Sequence, residues 1–255
     1  MMLLKKISLL AAVACCAASA SADELRVGIE KNSKTNLPVV QAAYEPFANT
    51  IRTAGIIKDL RLSIDAVDGV SAALASQSPA LILVHSHAST AAQATGDYTP
   101  LASFELTTTE RLTLLAGASS GIDTAKELSG KRVIVGKQGG YVSSAAKRLL
   151  SSQGVDLSTV QFKYVRYADL KLSMMQGGQA DAAFAVDTET IKAWKATGGL
   201  VTPIGNFPGK QLLAHSSVNA ETKAKLKKLF AADNLSPVTK SALTTAGLRL
   251  AAQGN

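Results

Sequence analysis

Two short polar segments follow apolar runs that have the composition of buried strands. Residues 139–144 follow the run 132–136 and combine two glycines with two serines, Ser143 and Ser144. Glycine lets the backbone turn tightly and approach a ligand closely. The free amides and the dipole at the start of a helix favour an anion. The spacing therefore predicts a strand, a glycine turn and a helix N-terminus able to bind an anion.

The second polar segment is His85, Ser86 and His87, which follows the apolar run 80–84. Histidine changes charge near neutral pH, so His87 can turn a positive charge toward an anion. In an extended segment His85 and His87 would point to the same side, with His215 as a candidate third metal ligand. No acidic cluster or thiolate accompanies them, so we predict no metal site and no cofactor.

The elements that position these segments alternate between strand and helix patterns. Residues 25–29, 60–64 and 80–84 read as strands followed by helical patterns, and Pro46 indicates the first turn of one helix. A second alternation occupies about residues 110–205. This order predicts an α/β fold with mainly parallel sheets flanked by helices, whose ligands bind beyond the carboxyl ends of the strands. Four strand ends qualify: residues 30–33, 85–87, 138–144 and 187–188.

Residues 1–22 have the pattern of a secretory signal peptide. Lys5 and Lys6 precede a short apolar run, and small residues end at Ala22, where cleavage is expected. The apolar run is too short to span a membrane. We therefore expect an exported protein whose mature chain begins at Asp23.

Both cysteines, Cys15 and Cys16, lie inside the predicted signal peptide. The mature chain would then contain no disulfide bond. A second interpretation stays open, because residues 12–15 loosely resemble a bacterial lipobox that would attach a lipid to Cys15.

The formal net charge of +8 biases the chain toward anionic ligands. Much of it belongs to lysines that suit the solvated face of one helix. Basic residues are not interleaved with aromatic ones, and the chain has an export signal, so we predict no binding to nucleic acid. The helical lysines are Lys223, Lys225, Lys227 and Lys228.

Several stretches contain sequence motifs that are typical of one protein family. Residues 127–133 contain the pattern Leu-x-Gly-Lys-Arg-Val, and residues 177–183 contain a glycine-rich entry to a strand with Asp181 and alanines. Together with residues 25–29 and 44–48, they resemble periplasmic solute-binding proteins of the phosphate and phosphonate type. The likeness extends over nearly the whole mature chain and is strongest between residues 107 and 187.

This resemblance implies a two-lobe periplasmic-binding-protein-like fold. Lobe 1 would comprise residues 23–105 plus 210–255, and lobe 2 would comprise residues 106–209. Crossing hinge strands near Ser103 and Leu212 would join the lobes, and a ligand would be trapped in the cleft between them.

In such a cleft we expect backbone amides to supply most hydrogen bonds to the ligand. Tyr141 would stack on the ligand or, alternatively, pack between the lobes. Asp187 would meet a cationic or hydroxyl group or serve only as a helix N-cap, and Ser86 would bind the ligand or cap its helix. Thr108 and Thr109 would add hydroxyl groups at the hinge. The remaining predicted ligand contacts are His87, Gly140, Val142 and Ser143.

The chain departs from the family at the start of the second-lobe helix. Phosphonate binders usually present a run of hydroxyl side chains there, whereas this chain has Tyr141 and Val142 before Ser143. This favours a small organic anion over bare phosphate.

The resemblance implies a monomeric substrate-binding protein of the periplasm that delivers its ligand to an ABC transporter permease. A sensor that signals to a membrane receptor is the alternative. An enzyme is a third class, but no set of nucleophile, base and orienting residue supports it.

Overall fold

The computed structural model describes residues 23–29, 35–66, 79–107, 111–165, 168–206 and 209–251. Several predictions fall outside these residues, so the structure says nothing of them. They are the signal peptide with Cys15 and Cys16, the strand end at 30–33, and Thr108 and Thr109.

The described residues form two sheets with helices packed on them. In chain order the strands are β1 (Glu24–Ile29), β2 (Arg61–Ala66), β3 (Leu81–His85), β4 (Tyr98–Leu106), β5 (Arg111–Ala116), β6 (Arg132–Val135), β7 (Gln161–Tyr164), β8 (Ala182–Ala185), β9 (Leu200–Asn206), β10 (Lys210–His215) and β11 (Leu248–Leu250). The α-helices are α1 (Leu37–Thr53), α2 (Ser86–Ala94), α3 (Tyr141–Ser152), α4 (Ala168–Gln176), α5 (Thr188–Ala196), α6 (Ala220–Leu229) and α7 (Pro237–Thr245). Among the described residues, no helix is long and apolar enough to cross a bilayer.

The first sheet has the strand order β11-β4-β10-β3-β1-β2. Strand β1 runs parallel to β2 and β3, whereas β10 is antiparallel to β3 and β4. We call this sheet, with α1, α2, α6 and α7, lobe 1.

The second sheet has the strand order β7-β6-β8-β5-β9. Strand β6 is parallel to β7 and β8, whereas β5 is antiparallel to β8 and β9. We call this sheet, with α3, α4 and α5, lobe 2. The α/β class is confirmed, but both sheets are mixed rather than mainly parallel. Each antiparallel pair includes β4, β5, β9 or β10. These are the strands on either side of the two segments in which the chain passes from one sheet to the other.

Helix α1 begins earlier than the sequence indicates. It starts at Leu37, where Asn36 accepts a hydrogen bond from the Val39 amide, so Pro46 lies inside the helix. Proline in a helix interior removes a backbone donor. The buried side chains of α1 offset this loss, because they face the core of lobe 1.

Three aromatic rings join the elements of the lobe 1 core. Phe47 of α1 stacks on Phe230 with ring centroids 5.2 Å apart and meets Phe104 of β4 edge-on at 5.8 Å. Burying a phenylalanine side chain contributes about 1.5–3 kcal/mol. The cluster therefore fixes α1 and the end of α6 against β4, the strand that leads toward lobe 2.

In lobe 2, two residues of the family-like stretches form an ion pair. Arg132 donates from Nη2 to Asp181 Oδ1 at 2.7 Å, and its backbone amide donates to Asp181 Oδ2 at 2.8 Å. The hydrogen bonds from Arg132 hold the pKa of Asp181 down, at about 2. This pair joins the start of β6 to the start of β8, so it aligns the two strands at the edge opposite their carboxyl ends.

Candidate functional site at the contact between the lobes

The two predicted polar segments come together in the structure. His85 is the last residue of β3 and the N-cap of α2, and Gly140 is the N-cap of α3. Helices α2 and α3 are in contact although they belong to different lobes. Two helix N-termini therefore lie at the contact between the lobes, each at the carboxyl edge of its sheet.

An aromatic stack lies between these N-termini. Tyr141, the first residue of α3, stacks on His85 with ring centroids 3.8 Å apart and an angle of 30° between the planes. His87 lies 5.7 Å from the Tyr141 ring and almost parallel to the His85 ring. His87 belongs to the first turn of α2 rather than to an extended strand, yet it still shares the site with His85.

The N-termini of α2 and α3 lack a side-chain cap from their N-cap residues. The His85 side chain accepts no capping hydrogen bond, and Gly140 has no side chain that could accept one. In contrast, the N-cap side chains of four other described helices accept from a first-turn amide. These residues are Asn36, Asp187, Asn219 and Ser236. In α2 the Ser86 amide donates to the Gly209 carbonyl at 3.2 Å. The other first-turn amides of the two helices are not capped by an N-cap side chain, so they can donate to an external acceptor.

Several buried polar atoms at this place have no hydrogen-bond partner among the described residues. They are Nδ1 of His85, Oγ of Ser86 and both ring nitrogens of His87. Burial is the main cause that lowers the pKa of His85 well below its ordinary value, and Lys210 and His87 lower it further. Burial also lowers the pKa of His87. The ring nitrogens and the Ser86 hydroxyl are groups that a ligand can satisfy.

A buried lysine lies next to His85, and sequence reasoning missed it. Lys210 begins β10 and is paired directly with His85 across the sheet. Its side chain is only 3% exposed, and Nζ donates to the Gly28 carbonyl at 3.1 Å and to Tyr44 Oη at 2.8 Å. Burial lowers the pKa of Lys210 to about 7 and raises that of Tyr44 to about 12. The signal in the sequence was a lysine just after Gly209 and before an apolar strand.

The glycine turn before α3 has the predicted form. Gly139 has φ of +71°, a conformation that suits glycine. The Ser143 hydroxyl lies 2.7 Å from the Lys137 carbonyl and 2.8 Å from the Gly140 carbonyl, and thus holds the turn onto the helix. Val142 packs on Gly136, where a Cβ would come within 3.0 Å of the Val142 Cβ. Ser143 and Val142 therefore shape the turn that presents Tyr141.

The hydrogen bond that the structure shows for the Asp187 side chain is made within its own helix and not with the His85–Tyr141 stack. Its side chain accepts from the Thr190 amide at 2.8 Å and is the N-cap of α5, and the residue is exposed. His215 lies at the far end of β10, where its ring meets Tyr98 edge-on. The three histidines therefore do not converge, and the described residues contain no group of three or more potential metal-binding side chains.

A two-lobe α/β fold with helix N-termini at the contact between the lobes suits a protein that binds a ligand between them. A family profile described as "ABC transporter, phosphonate, periplasmic substrate-binding protein" matches residues 33–251. The chain belongs to this family. Its proteins bind solutes and are not enzymes, which confirms the predicted resemblance and the binding role. The family implies a periplasmic location, a small-molecule ligand and an ABC transporter permease as partner.

Solved structures share the fold. The periplasmic aliphatic sulphonate binding protein SsuA of Escherichia coli is 16% identical, with a TM-score of 0.53, over 89% of this chain and 78% of that chain. PhnD1 of Prochlorococcus marinus, in complex with methylphosphonate, is 10% identical, with a TM-score of 0.57, over 90% and 92%. A Xanthomonas citri protein bound to ATP is 12% identical, with a TM-score of 0.63, over 89% and 90%. At these identities the likeness concerns the fold. No curated protein gave a significant sequence match.

Proposed function

We propose that the chain captures a small organic anion between the N-termini of α2 and α3 and delivers it to an ABC transporter permease. The observation that carries this proposal is the pair of helix N-termini without side-chain caps, which face each other across the His85–Tyr141 stack. First-turn amides attract negative charge, and a helix N-terminus contributes about 0.3–1 kcal/mol to an anion, or up to about 2 kcal/mol where it is partly buried.

The aromatic rings of the site indicate which chemical group would accompany the negative charge of the ligand. His85, His87 and Tyr141 present ring faces beside the amides, so an apolar group attached to the anion would rest against them. Ser86 adds a hydroxyl without a partner among the described residues. This composition supports an anion with an organic part, which agrees with the sulphonate, methylphosphonate and ATP bound by proteins of the same fold.

Not all of the predicted site residues would touch the ligand. We propose that Ser86, His87, Gly140 and Tyr141 contact it. Val142 and Ser143 would act by shaping the turn, since their contacts lie within lobe 2.

Ligand entry requires the lobes to separate. Tyr141 lies directly on His85, so a ligand between them must first part the two rings. The hinge would be the two passages between the sheets, so that lobe 1 comprises residues 23–105 plus 210–255 and lobe 2 residues 106–209. Closure of two lobes about such a hinge is a common response to ligand. Residues 1–22 would be removed on export.

A thermal-shift screen of residues 23–255 tests this proposal. The probes are methylphosphonate, methanesulfonate, inorganic phosphate, acetate, a neutral alcohol and zinc chloride. A ligand that binds the folded protein raises the melting temperature. A ligand concentration about 100 times the Kd adds about 2.7 kcal/mol to the free energy of unfolding. We expect organic anions to raise it more than phosphate does. A rise with zinc or the alcohol but with no anion would overturn the proposal.

A further inference from the structure

Lys210 is deeply buried and has no opposing charge beside it among the residues that the structure describes. The groups that face it are the Gly28 carbonyl from β1, Tyr44 from α1, His85 from β3 and the apolar Phe104 from β4. His87 from α2 lies beyond His85. No carboxylate pairs with Lys210 in the described part of the chain. A buried charge without a partner is costly, so such a lysine tends to lose its proton.

The hydrogen bonds of Lys210 fit a neutral amine. A neutral amine has two N–H groups, and the structure shows two acceptors, the Gly28 carbonyl and Tyr44 Oη. A protonated amine has a third N–H group, for which the described residues offer no further oxygen or nitrogen acceptor, and only the Tyr44 ring, 4.9 Å from Nζ, faces it. The Lys210 amine is therefore expected to be neutral while Tyr141 covers His85, and it can become positively charged by binding a proton.

His85 connects this lysine to the ligand position. It is the cross-strand partner of Lys210 on one side and stacks on Tyr141 on the other. Its Nδ1 is buried without a partner among the described residues, and the residue is 6% exposed. An anion that replaces Tyr141 on His85 would bring negative charge next to the His85–Lys210 pair, and a nearby negative charge favours the protonated form of an amine.

We propose that Lys210 is a specificity-determining residue of the cleft, and that it takes up one proton from solvent when an anion binds beside His85. The inference rests on the proposed anion-binding function and deepens it. The neutral amine becomes an ammonium ion as the anion arrives, so that the closed site stays near electrical balance. A neutral solute brings no charge to offset the ammonium ion and is bound without proton uptake.

Calorimetric titration of the mature protein with methanesulfonate tests the inference. This probe keeps one negative charge throughout the working pH range, so any proton taken up belongs to the protein. Titrations at pH 8 in buffers with different ionisation enthalpies give the number of protons bound. At that pH the two cleft histidines are neutral and Lys210 is mostly neutral. We expect uptake of nearly one proton per ligand, and binding without uptake would overturn the inference.

Two lysine variants separate this role from general charge effects. Lys210→Met keeps most of the length of the side chain without an ionisable group, and should abolish the uptake and weaken methanesulfonate at least tenfold. Lys240→Met removes an exposed lysine of the same lobe and should change neither quantity. Thermal unfolding of each variant checks its folding, while the wild-type titration does not depend on any variant. Proton uptake that persists in Lys210→Met would assign the proton to another group and overturn the inference.

The outcomes also separate this inference from the proposed function. If no organic anion binds the wild-type protein, both are wrong. If methanesulfonate binds with equal affinity to wild type and Lys210→Met, the anion site stands and the role of Lys210 is wrong.

Discussion

Tyr141 of lobe 2 stacks on His85 of lobe 1 with their ring centroids 3.8 Å apart. One ring ends a strand at the carboxyl edge of its sheet, and the other begins the helix that follows a strand of the second sheet. The contact joins the two lobes at the position where the proposed ligand binds. At the proposed site, ligand binding and lobe closure would therefore depend on the same pair of side chains.

Replacing Tyr141 tests the aromatic half of the site. Tyr141→Leu keeps an apolar side chain, though a shorter one, and removes the ring face. We expect it to weaken an organic anion about tenfold, since an aromatic contact contributes about 0.5–1.5 kcal/mol beyond buried area. The matched control is Tyr141→Phe, which keeps the ring and should stay within about twofold of wild type in calorimetric titrations. Equal affinity in wild type and Tyr141→Leu would remove Tyr141 from the ligand site.

Replacing Ser143 tests the turn that presents Tyr141. Ser143→Ala removes the hydroxyl group that reaches the Lys137 and Gly140 carbonyls. We expect the free energy of unfolding to fall by about 0.5–1.5 kcal/mol, as for a typical hydrogen bond. Urea unfolding measures this change. The control is Ser144→Ala, whose side chain is only half-buried and which should have little effect. Similar losses in both variants would contradict the role given to the Ser143 hydroxyl.

Replacing Gly209 tests how closely the backbone approaches β4 where the chain returns from lobe 2 to lobe 1. A Cβ at Gly209 would lie 1.7 Å from the Phe104 carbonyl oxygen, so the backbone of β4 or β10 would have to move. We expect Gly209→Ala to lower the free energy of unfolding by about 1–3 kcal/mol or more, as measured in urea, because overpacking costs this much.

The matched control for Gly209 is Gly117→Ala, where a Cβ would meet only Ser120 at 3.9 Å. We expect that variant to unfold at nearly the wild-type urea concentration. Wild-type stability in Gly209→Ala would mean that the two strands do not approach as closely as described.

The buried histidines predict a loss of stability in acid. The pKa of His85 is lowered in the folded protein, so below about pH 6.5 the unfolded chain binds a proton that the folded protein does not. Stability therefore falls as the pH falls through that value, by at most about 1.4 kcal/mol per pH unit for this residue. Urea unfolding at pH 8, 7, 6 and 5 measures the slope.

His85→Phe keeps an aromatic ring on Tyr141 but cannot bind a proton, so it should flatten this pH dependence between pH 6.5 and 5. His215→Gln removes the histidine at the opposite edge of lobe 1 and serves as the control. An unchanged slope in His85→Phe would show that the ring is not buried in the way described.

Local patterns predicted most of the fold. Apolar runs such as 80–84 and 132–136 gave strands near the observed β3 and β6, because a strand buried on both faces needs an uninterrupted run. The N-cap role of Asp187, one of its two predicted alternatives, is also observed, since a short polar side chain before a helix accepts from its first turn. The prediction that Pro46 lies in the first turn of its helix was wrong, because the packing of Tyr44 and Phe47 overrides a local helix-start signal.

The site was predictable in part. The strand pattern places His85 and the turn before α3 at the carboxyl ends of their strands. The two strands belong to different sheets, so the meeting of these segments was expected only from the two-lobe fold that the family resemblance implied. Lys210 was not predictable in this way. It reaches His85 through an antiparallel pairing between β3 and β10, which are more than a hundred residues apart, and local patterns do not encode such a pairing.

The most direct test of the central claim uses the three histidines as reporters. The chain contains only His85, His87 and His215, so their ring signals can be followed separately by NMR during a titration with methanesulfonate or methylphosphonate. His215 lies at the opposite end of β10 from Lys210 and is an internal control. We predict saturable shifts of the His85 and His87 signals with the His215 signal unmoved, and a large reduction of these shifts in Tyr141→Leu. Saturable binding of the anion that leaves His85 and His87 unshifted would contradict the proposed site.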